Sequence, residues 1–153
     1  MPVYDREEIP FVIPDTVTPI LAFKARLKSS TAVVGGQTIV LPVLIFKEGD
    51  GYTPDTGEFT APISGVYMFS LAFCLYPKKI LTVSIMIEGT RYSTSLFRGD
   101  DSNGYLSADS VAKVTAGQKV LVEVIPGGHS GSIIQQDQYR WNTFSGTLIS
   151  RRI

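Results

Sequence analysis

The sequence predicts an all-β sandwich or jelly roll, and three observations carry that prediction. Residues 66–76 alternate so that Tyr67, Phe69, Leu71, Phe73 and Leu75 share one face, because strand side chains point to opposite sides at period two. Short apolar runs recur at regular intervals between clusters of Gly, Pro, Asp and Asn, which is the rhythm of a sandwich. No segment carries a convincing amphipathic helical period. Five large apolar groups on one side of a strand must be covered by a second layer, so the core is expected there. The opposite face (Val66, Met68, Ser70, Ala72, Cys74, Tyr76) is smaller and uncharged, which places this strand in the middle of its sheet.

The remaining elements follow in chain order. Residues 1–19 contain Pro2, Pro10, Pro14 and Pro19; proline favours extended backbone and prevents a continuous helix. They read as an arm leading into one domain, residues 20–153. Residues 20–27 alternate, with Leu21, Phe23, Ala25 and Leu27 on one face and Lys24 and Arg26 on the other. Residues 29–34 form a short second strand closed by Gly35-Gly36. Residues 38–46 are β-branched and apolar, and Pro42 implies a bulge or an edge position. Residues 47–57 are dense in turn formers and read as a loop.

A turn holding Pro62 and Gly65 feeds the central strand, and Pro77-Lys78-Lys79 turns the chain back. Leu81, Val83, Ile85 and Ile87 define the next buried face, Glu88-Gly89 fits a tight hairpin turn, and residues 90–97 return. Residues 98–104 are the most polar loop. Residues 105–114 read as a strand through Leu106, Ala108, Ser110, Ala112 and Val114, although their small side chains also suit a helix. Residues 116–118 turn into a strand over 119–125 with Val120, Val122 and Val124 inward. Residues 126–138 read as a long loop and 141–150 as the closing strand, for eight to ten strands in all.

Composition narrows the function. The 153 residues are 44% hydrophobic and 18% charged, with 14 Lys plus Arg against 14 Asp plus Glu. That is a globular chain large enough to bury a core, with no charge excess to favour nucleic acid or an anionic membrane as the main partner. The longest apolar run, 39–46, is too short for a bilayer span and is broken by Pro42. With one Cys no internal disulfide forms, and Cys74 reads as a buried thiol. The N-terminus lacks the basic-then-apolar layout of a signal peptide. Either a signal has been removed or the protein is cytosolic, and composition does not choose. Asn142-Thr143-Phe144 fails as a glycosylation acceptor.

Catalytic chemistry has little material. His129 and Cys74 are the sole His and Cys; the first falls in a Gly-rich loop, as an exposed residue, and the second in mid-strand. No His/Cys metal cluster exists and no catalytic residue is nominated, so an enzyme is not expected. Calcium suits the acidic loops better, through Asp50 and Asp55 in one and Asp100, Asp101 and Asn103 in another, since hard cations take oxygen ligands. Neither run has an EF-hand spacing, and simple solvation of these loops is the competing explanation. Arg98-Gly99-Asp100 spells an integrin-type tripeptide, which also occurs by chance as a polar turn.

Four separated stretches resemble the globular C1q domain, of the C1q and tumour-necrosis-factor superfamily. They are Ala22-Phe23-Lys24-Ala25-Arg26-Leu27; the spaced set Tyr52, Phe59, Gly65, Tyr67 and Phe69; residues 110–120 around Ala116-Gly117-Gln118; and Phe144-Ser145-Gly146-Thr147-Leu148. They occur in the family's order and cover residues 20–150. Leu41 and Lys47 stand where the pattern has Phe and Asn or Asp, and Leu71 replaces a final aromatic. The resemblance implies a ten-stranded jelly roll with Phe23, Tyr52, Phe59, Gly65, Tyr67, Phe69, Phe144 and Gly146 as its structural signature. It also implies a secreted homotrimer that works by binding and requires no cofactor.

No Gly-x-y repeat precedes the domain, which fits a stand-alone, invertebrate-type member. Such members bind carbohydrate or microbial surface patterns in innate immunity. The alternatives are a signalling ligand for a host receptor and a calcium-binding structural or biomineral-associated protein. For a lectin-like module the candidate ligand residues lie on loops: Tyr52 with Asp50 and Asp55; Arg98, Asp100, Asn103 and Tyr105; and His129, Tyr139, Arg140 and Trp141. Aromatic faces stack on sugar rings and Arg pairs with carboxylates. Trp141 has a competing role at the start of the last strand, packed in the core or a trimer interface.

Overall fold

The alternating segments pair into two antiparallel five-stranded sheets in the computed structural model, which describes residues 17–99, 105–129 and 133–151. The strands are β1 (Ala22–Arg26), β2 (Thr31–Ala32), β3 (Val43–Glu48), β4 (Tyr52–Thr53), β5 (Glu58–Thr60) and β6 (Gly65–Cys74). They continue with β7 (Ile80–Ile87), β8 (Thr90–Arg98), β9 (Tyr105–Val114), β10 (Lys119–His129), β11 (Ile133–Ile134) and β12 (Thr143–Ser150). One sheet has the order β3-β1-β12-β6-β9 and the other β4-β5-β10-β7-β8; β2 and β11 form a separate two-stranded ribbon. Among the described residues there is no helix. Ten strands in two layers make the predicted jelly-roll sandwich.

The central strand is central. β6 pairs with β12 on one side and β9 on the other, Phe69 lying opposite both Gly146 and Ser110. Tyr67, Phe69, Leu71 and Phe73 are fully buried against Leu81, Val83 and Ile85 of β7 and Val120, Val122 and Val124 of β10. Each such side chain contributes about 1.5–3 kcal/mol by leaving water.

At one end of this core Phe23 joins the layers. Its ring stacks on Tyr52 at 4.7 Å and on Phe59 at 5.0 Å, and meets Phe144 edge-on at 5.1 Å. β1 and β12 belong to one sheet and β4 and β5 to the other, so a single ring bridges both. Gly146 makes the space: a Cβ there would stand 2.7 Å from Phe23 and 2.9 Å from Phe69. Two tyrosines in this region close their polar ends on backbone. The Tyr52 hydroxyl donates to the Leu41 carbonyl and that of Tyr67 to the Ile63 carbonyl, each at 2.6 Å. Burial pushes both hydroxyls up to about 12, so each stays a protonated donor.

The Glu88-Gly89 hairpin has φ of 50° and 79°, the left-handed pair that a two-residue turn requires. Residues 105–114 form a strand and not the rival helix, because β9 gains a full ladder along β6.

Four sequence expectations need correction. The single strand over 38–46 is split, since Pro42 has no N–H for a ladder. Thr38 and Ile39 reach β10 in the second sheet, while pairing with β1 begins only at Val43, on the sheet edge. The register slip lies at Ile45, not at Pro42. Residues 47–57 are not all loop, because β3 runs to Glu48 and Tyr52–Thr53 pairs with β5. Residues 126–138 are likewise interrupted: β10 continues to His129 across a register shift, and β11 pairs with β2. The closing strand starts at Thr143 rather than Trp141.

Gly146→Ala is expected to cost about 1–3 kcal/mol, the penalty of overpacking, and Phe23→Ala about 3–5 kcal/mol, the penalty of a cavity. Urea unfolding of each variant measures both, and a neutral Gly146→Ala would show that the ring cluster adapts freely.

Candidate functional site

Register places the strand termini at two ends of the sandwich. Arg26 of β1 pairs with Thr143, Thr143 with Ala72, and Cys74 with Tyr105. In the facing sheet His129 pairs with Leu81, and Leu81 with Phe97. The end of β1, the start of β9 and the segment leading into β12 therefore gather at one end. The β3–β4 connection with Asp50, the Glu88-Gly89 turn and the Ala116-Gly117-Gln118 turn belong to the other.

At the first end the chain between β11 and β12 is organised by Asn142, which is fully buried. Its Oδ1 accepts from the Cys74 N–H at 2.6 Å, and its Nδ2 donates to Gln136 Oε1 at 3.0 Å and to the Gln135 carbonyl. Its own N–H donates to Gln136 Oε1 at 2.8 Å, and its carbonyl accepts from Leu27 N–H at 3.1 Å. A buried amide so completely satisfied locks a loop in one geometry. Gln136 is also buried, and its N–H donates to the Ser30 hydroxyl at 3.0 Å. Burial pushes the adjacent Cys74 thiol up, so it is an inert packing group there.

Asp137 then closes a tight turn. Its Oδ1 accepts from the N–H groups of Tyr139 and Arg140, each at 2.8 Å, and its Oδ2 pairs with Arg140 Nη1 at 2.7 Å. These contacts, the Tyr139 N–H foremost, hold its carboxyl below the usual range. Trp141 follows. Its N–H donates to the Tyr105 hydroxyl, and the Arg26 guanidinium lies 4.6 Å from the ring centroid. Arg26 also donates from Nη1 to the Leu27 carbonyl at 2.8 Å. The indole remains 43% exposed.

The result is an open cleft of about 370 Å³ lined by Arg26, Lys28, Gln136, Asp137, Gln138 and Trp141. It combines an aromatic surface, cations, side-chain amides and an anchored carboxylate, the mix that orients a small polar ligand with an apolar face.

Of the predicted residues, Trp141 lines the cleft, with Tyr105 bonded to its backbone and Arg140 to the lining Asp137; Tyr139 lies in the same turn, 78% exposed. Trp141 lies outside the core, so its expected burial there does not occur. Tyr52 faces the aromatic cluster with its hydroxyl on Leu41. Arg98 ends β8, exposed, opposite Ile80. His129 ends β10, its backbone paired to Leu81, so its chain position is a strand and not a loop. Asp100, Asp101 and Asn103 lie outside the described residues. Asp50 sits 3.4 Å from Lys47, and Asp55 is exposed in the turn between β4 and β5. Among the described residues no three His, Cys, Asp or Glu side chains stand close enough to hold a metal ion.

Sequence reasoning missed Arg26, Lys28, Gln136, Asp137, Gln138 and Asn142. Arg26 was legible as an outward residue of the first strand, but nothing local says that this strand lies beside the last. Asn142 was visible only as a failed glycosylation acceptor.

The family model for the C1q domain matches residues 22–149. The fold is similar to the globular domain of zebrafish complement 1qA protein, at TM-score 0.63 and 20% identity over 84% of this chain and 97% of that one. It is also similar to murine APRIL, at TM-score 0.63 and 9% identity over 86% and 100% of the two chains. Eiger TNF from S. frugiperda matches at TM-score 0.56 and 11% identity over 86% and 94%. At such identities the likenesses concern the fold.

Trp141 is the sole tryptophan, so its fluorescence reports the turn beside it. The folded carboxyl of Asp137 titrates below its ordinary 3.8, so its contribution is present above that value and is lost as pH falls through the lower, folded one. An emission change with a midpoint below 3.8, abolished in Asp137→Asn, is the expected acid titration. A midpoint at or above that value would mean that the turn does not hold the carboxylate.

Proposed function

Because this chain belongs to the C1q domain family, we propose that it is a trimeric extracellular module that recognises carbohydrate or other repeating microbial surface groups through the Arg26–Trp141 cleft. The family is one of recognition and signalling modules and not of enzymes. The carrying observation is the half-exposed indole in an open cleft beside cations and amides. Sugar rings present a C–H face to aromatics and hydroxyls to such groups. No helix among the described residues is long and apolar enough to cross a membrane.

Two exposed apolar surfaces support the trimer. Tyr92 and Leu96 stand on β8, at one edge of the sandwich, while Met68, Val111 and Ile149 stand on the outward face of the other sheet. The Tyr92 hydroxyl donates to the Val111 carbonyl at 2.7 Å, so the two groups meet where β8 lies beside β9, and apolar surface there suits subunit contacts that close into a ring when the rotation allows. Three weak sites on one ring then gain avidity on a repetitive surface. A second reading, a ligand for a host receptor, draws on the exposed Arg98 at the start of the integrin-type tripeptide.

Light scattering is expected to give three times the chain mass, falling to a monomer in Val111→Lys. A glycan and microbial-polysaccharide array, run with calcium and with chelator, is expected to show competable binding that Trp141→Ala reduces at least tenfold without changing the mass. A blank array from the folded trimer would reject carbohydrate recognition, and receptor capture sensitive to Asp100→Ala would replace it. Loss of signal with chelator alone would point to calcium in the acidic loops.

A further inference from the structure

We propose that the cleft selects sugar rings carrying a carboxylate, and that Arg26 is the residue that reads it. This deepens the recognition reading above and rests on it. The argument begins with charge. Arg26 and Lys28 line the cleft together with Asp137. Asp137 is already engaged: two backbone N–H groups hold its Oδ1 and Arg140 Nη1 pairs with its Oδ2. The Asp137–Arg140 pair therefore adds no net charge. Lys28 is exposed and forms no ion pair among the described residues. Two cations thus face the cleft with no carboxylate paired to them among the described residues, and an anionic ligand is the complement of that field.

The geometry of Arg26 makes the assignment narrower than charge alone. Its guanidinium lies against the Trp141 ring, 4.6 Å from the centroid. Stacking uses the face of a guanidinium, whereas its N–H donors lie in the plane. One of those donors is taken by the Leu27 carbonyl, which fixes the rotation of the group and leaves the rest of its edge to a ligand. A planar fork held in place matches two carboxylate oxygens and loses little entropy on binding. Arg140, which sequence reasoning nominated for this role, is held by Asp137 and is not the reader. The same indole stays 43% exposed with Arg26 4.6 Å from its centroid, so a ring bearing its acid group on one edge is sized to meet both. The cleft volume of about 370 Å³ lies at the low end of the roughly 300–1,000 Å³ common for small-ligand sites.

The test is a panel of uronate and nonulosonate oligosaccharides, each paired with its methyl ester, titrated calorimetrically into the intact trimer at low and moderate salt. A sulfated neutral sugar is included. At least one acid is expected to bind tenfold or more tighter than its ester, with the margin shrinking as salt rises. Arg26→Lys keeps the charge but loses the fork, and is expected to remove most of that margin by weakening the acid far more than its ester, with the melting temperature unchanged. Arg26→Gln is expected to remove it entirely.

Equal binding of acid and ester, abolished by Trp141→Ala, would overturn the carboxylate assignment and leave the recognition reading standing. Tighter binding of the sulfated sugar than of every acid would overturn it too, as would Arg26→Lys matching the unmodified protein. Failure of the whole panel alongside array binding to neutral sugars removes this inference alone. Failure of both panel and array removes the recognition reading with it.

Discussion

The structure depends on one ring being able to touch both sheets. Phe23 on β1 stacks against Tyr52 and Phe59 of the facing sheet and meets Phe144 of its own. That arrangement exists because β12 carries glycine at position 146, where even a methyl group would collide with Phe23 and Phe69. Aromatic pairs at such distances add about 0.5–1.5 kcal/mol each beyond the area they bury. Their greater effect is on register. A strand slipped by one residue would bring a side chain to the glycine gap and turn every neighbour outward. The registers of β1, β12 and β6 are therefore set together.

That register also builds the functional end. With Arg26 opposite Thr143, the first strand delivers its last cation next to the residues preceding the last strand. Asn142 then holds those residues down by hydrogen bonds to β6, to Leu27 and to Gln136. Because the amide is buried and fully satisfied, alternative loop positions leave polar groups unpaired, at about 1–3 kcal/mol for each. Asp137 and Arg140 neutralise one another in the same segment, and Trp141 is left partly in solvent with Arg26 across its face. The cleft is thus a rigid surface feature whose net charge comes from the first strand.

The two ends of the sandwich differ accordingly. Asp50 lies in a connection at the end away from the cleft, whereas β8 ends and β9 begins at the cleft end. Exposed apolar residues occur both on the β8 edge and outward sheet face, where the Tyr92 hydroxyl reaches the Val111 carbonyl, and at the cleft end, where Tyr105, Tyr139 and Trp141 stand.

Much of the fold was legible from local rules. The alternation of residues 66–76, the Glu88-Gly89 turn and the inward valines of β10 follow from the period-two geometry of a strand and the φ preferences of turns. The spaced residues Phe23, Tyr52, Phe59, Tyr67, Phe69, Phe144 and Gly146 carried the family resemblance, because a shared packing problem leaves its mark at fixed positions. Tertiary structure decided the rest. It split residues 38–46 between two sheets, since a proline ladder defect can be healed only by partners elsewhere in the chain. It carried β10 through Pro126 to His129, and it engaged Arg140 with Asp137 while laying Arg26 against the Trp141 ring. The cleft depends on contacts between residues more than a hundred positions apart, such as Arg26 with Trp141 and Ser30 with Gln136. Local composition and periodicity carry no information about which distant strands become neighbours, and the cleft exists only because two of them do.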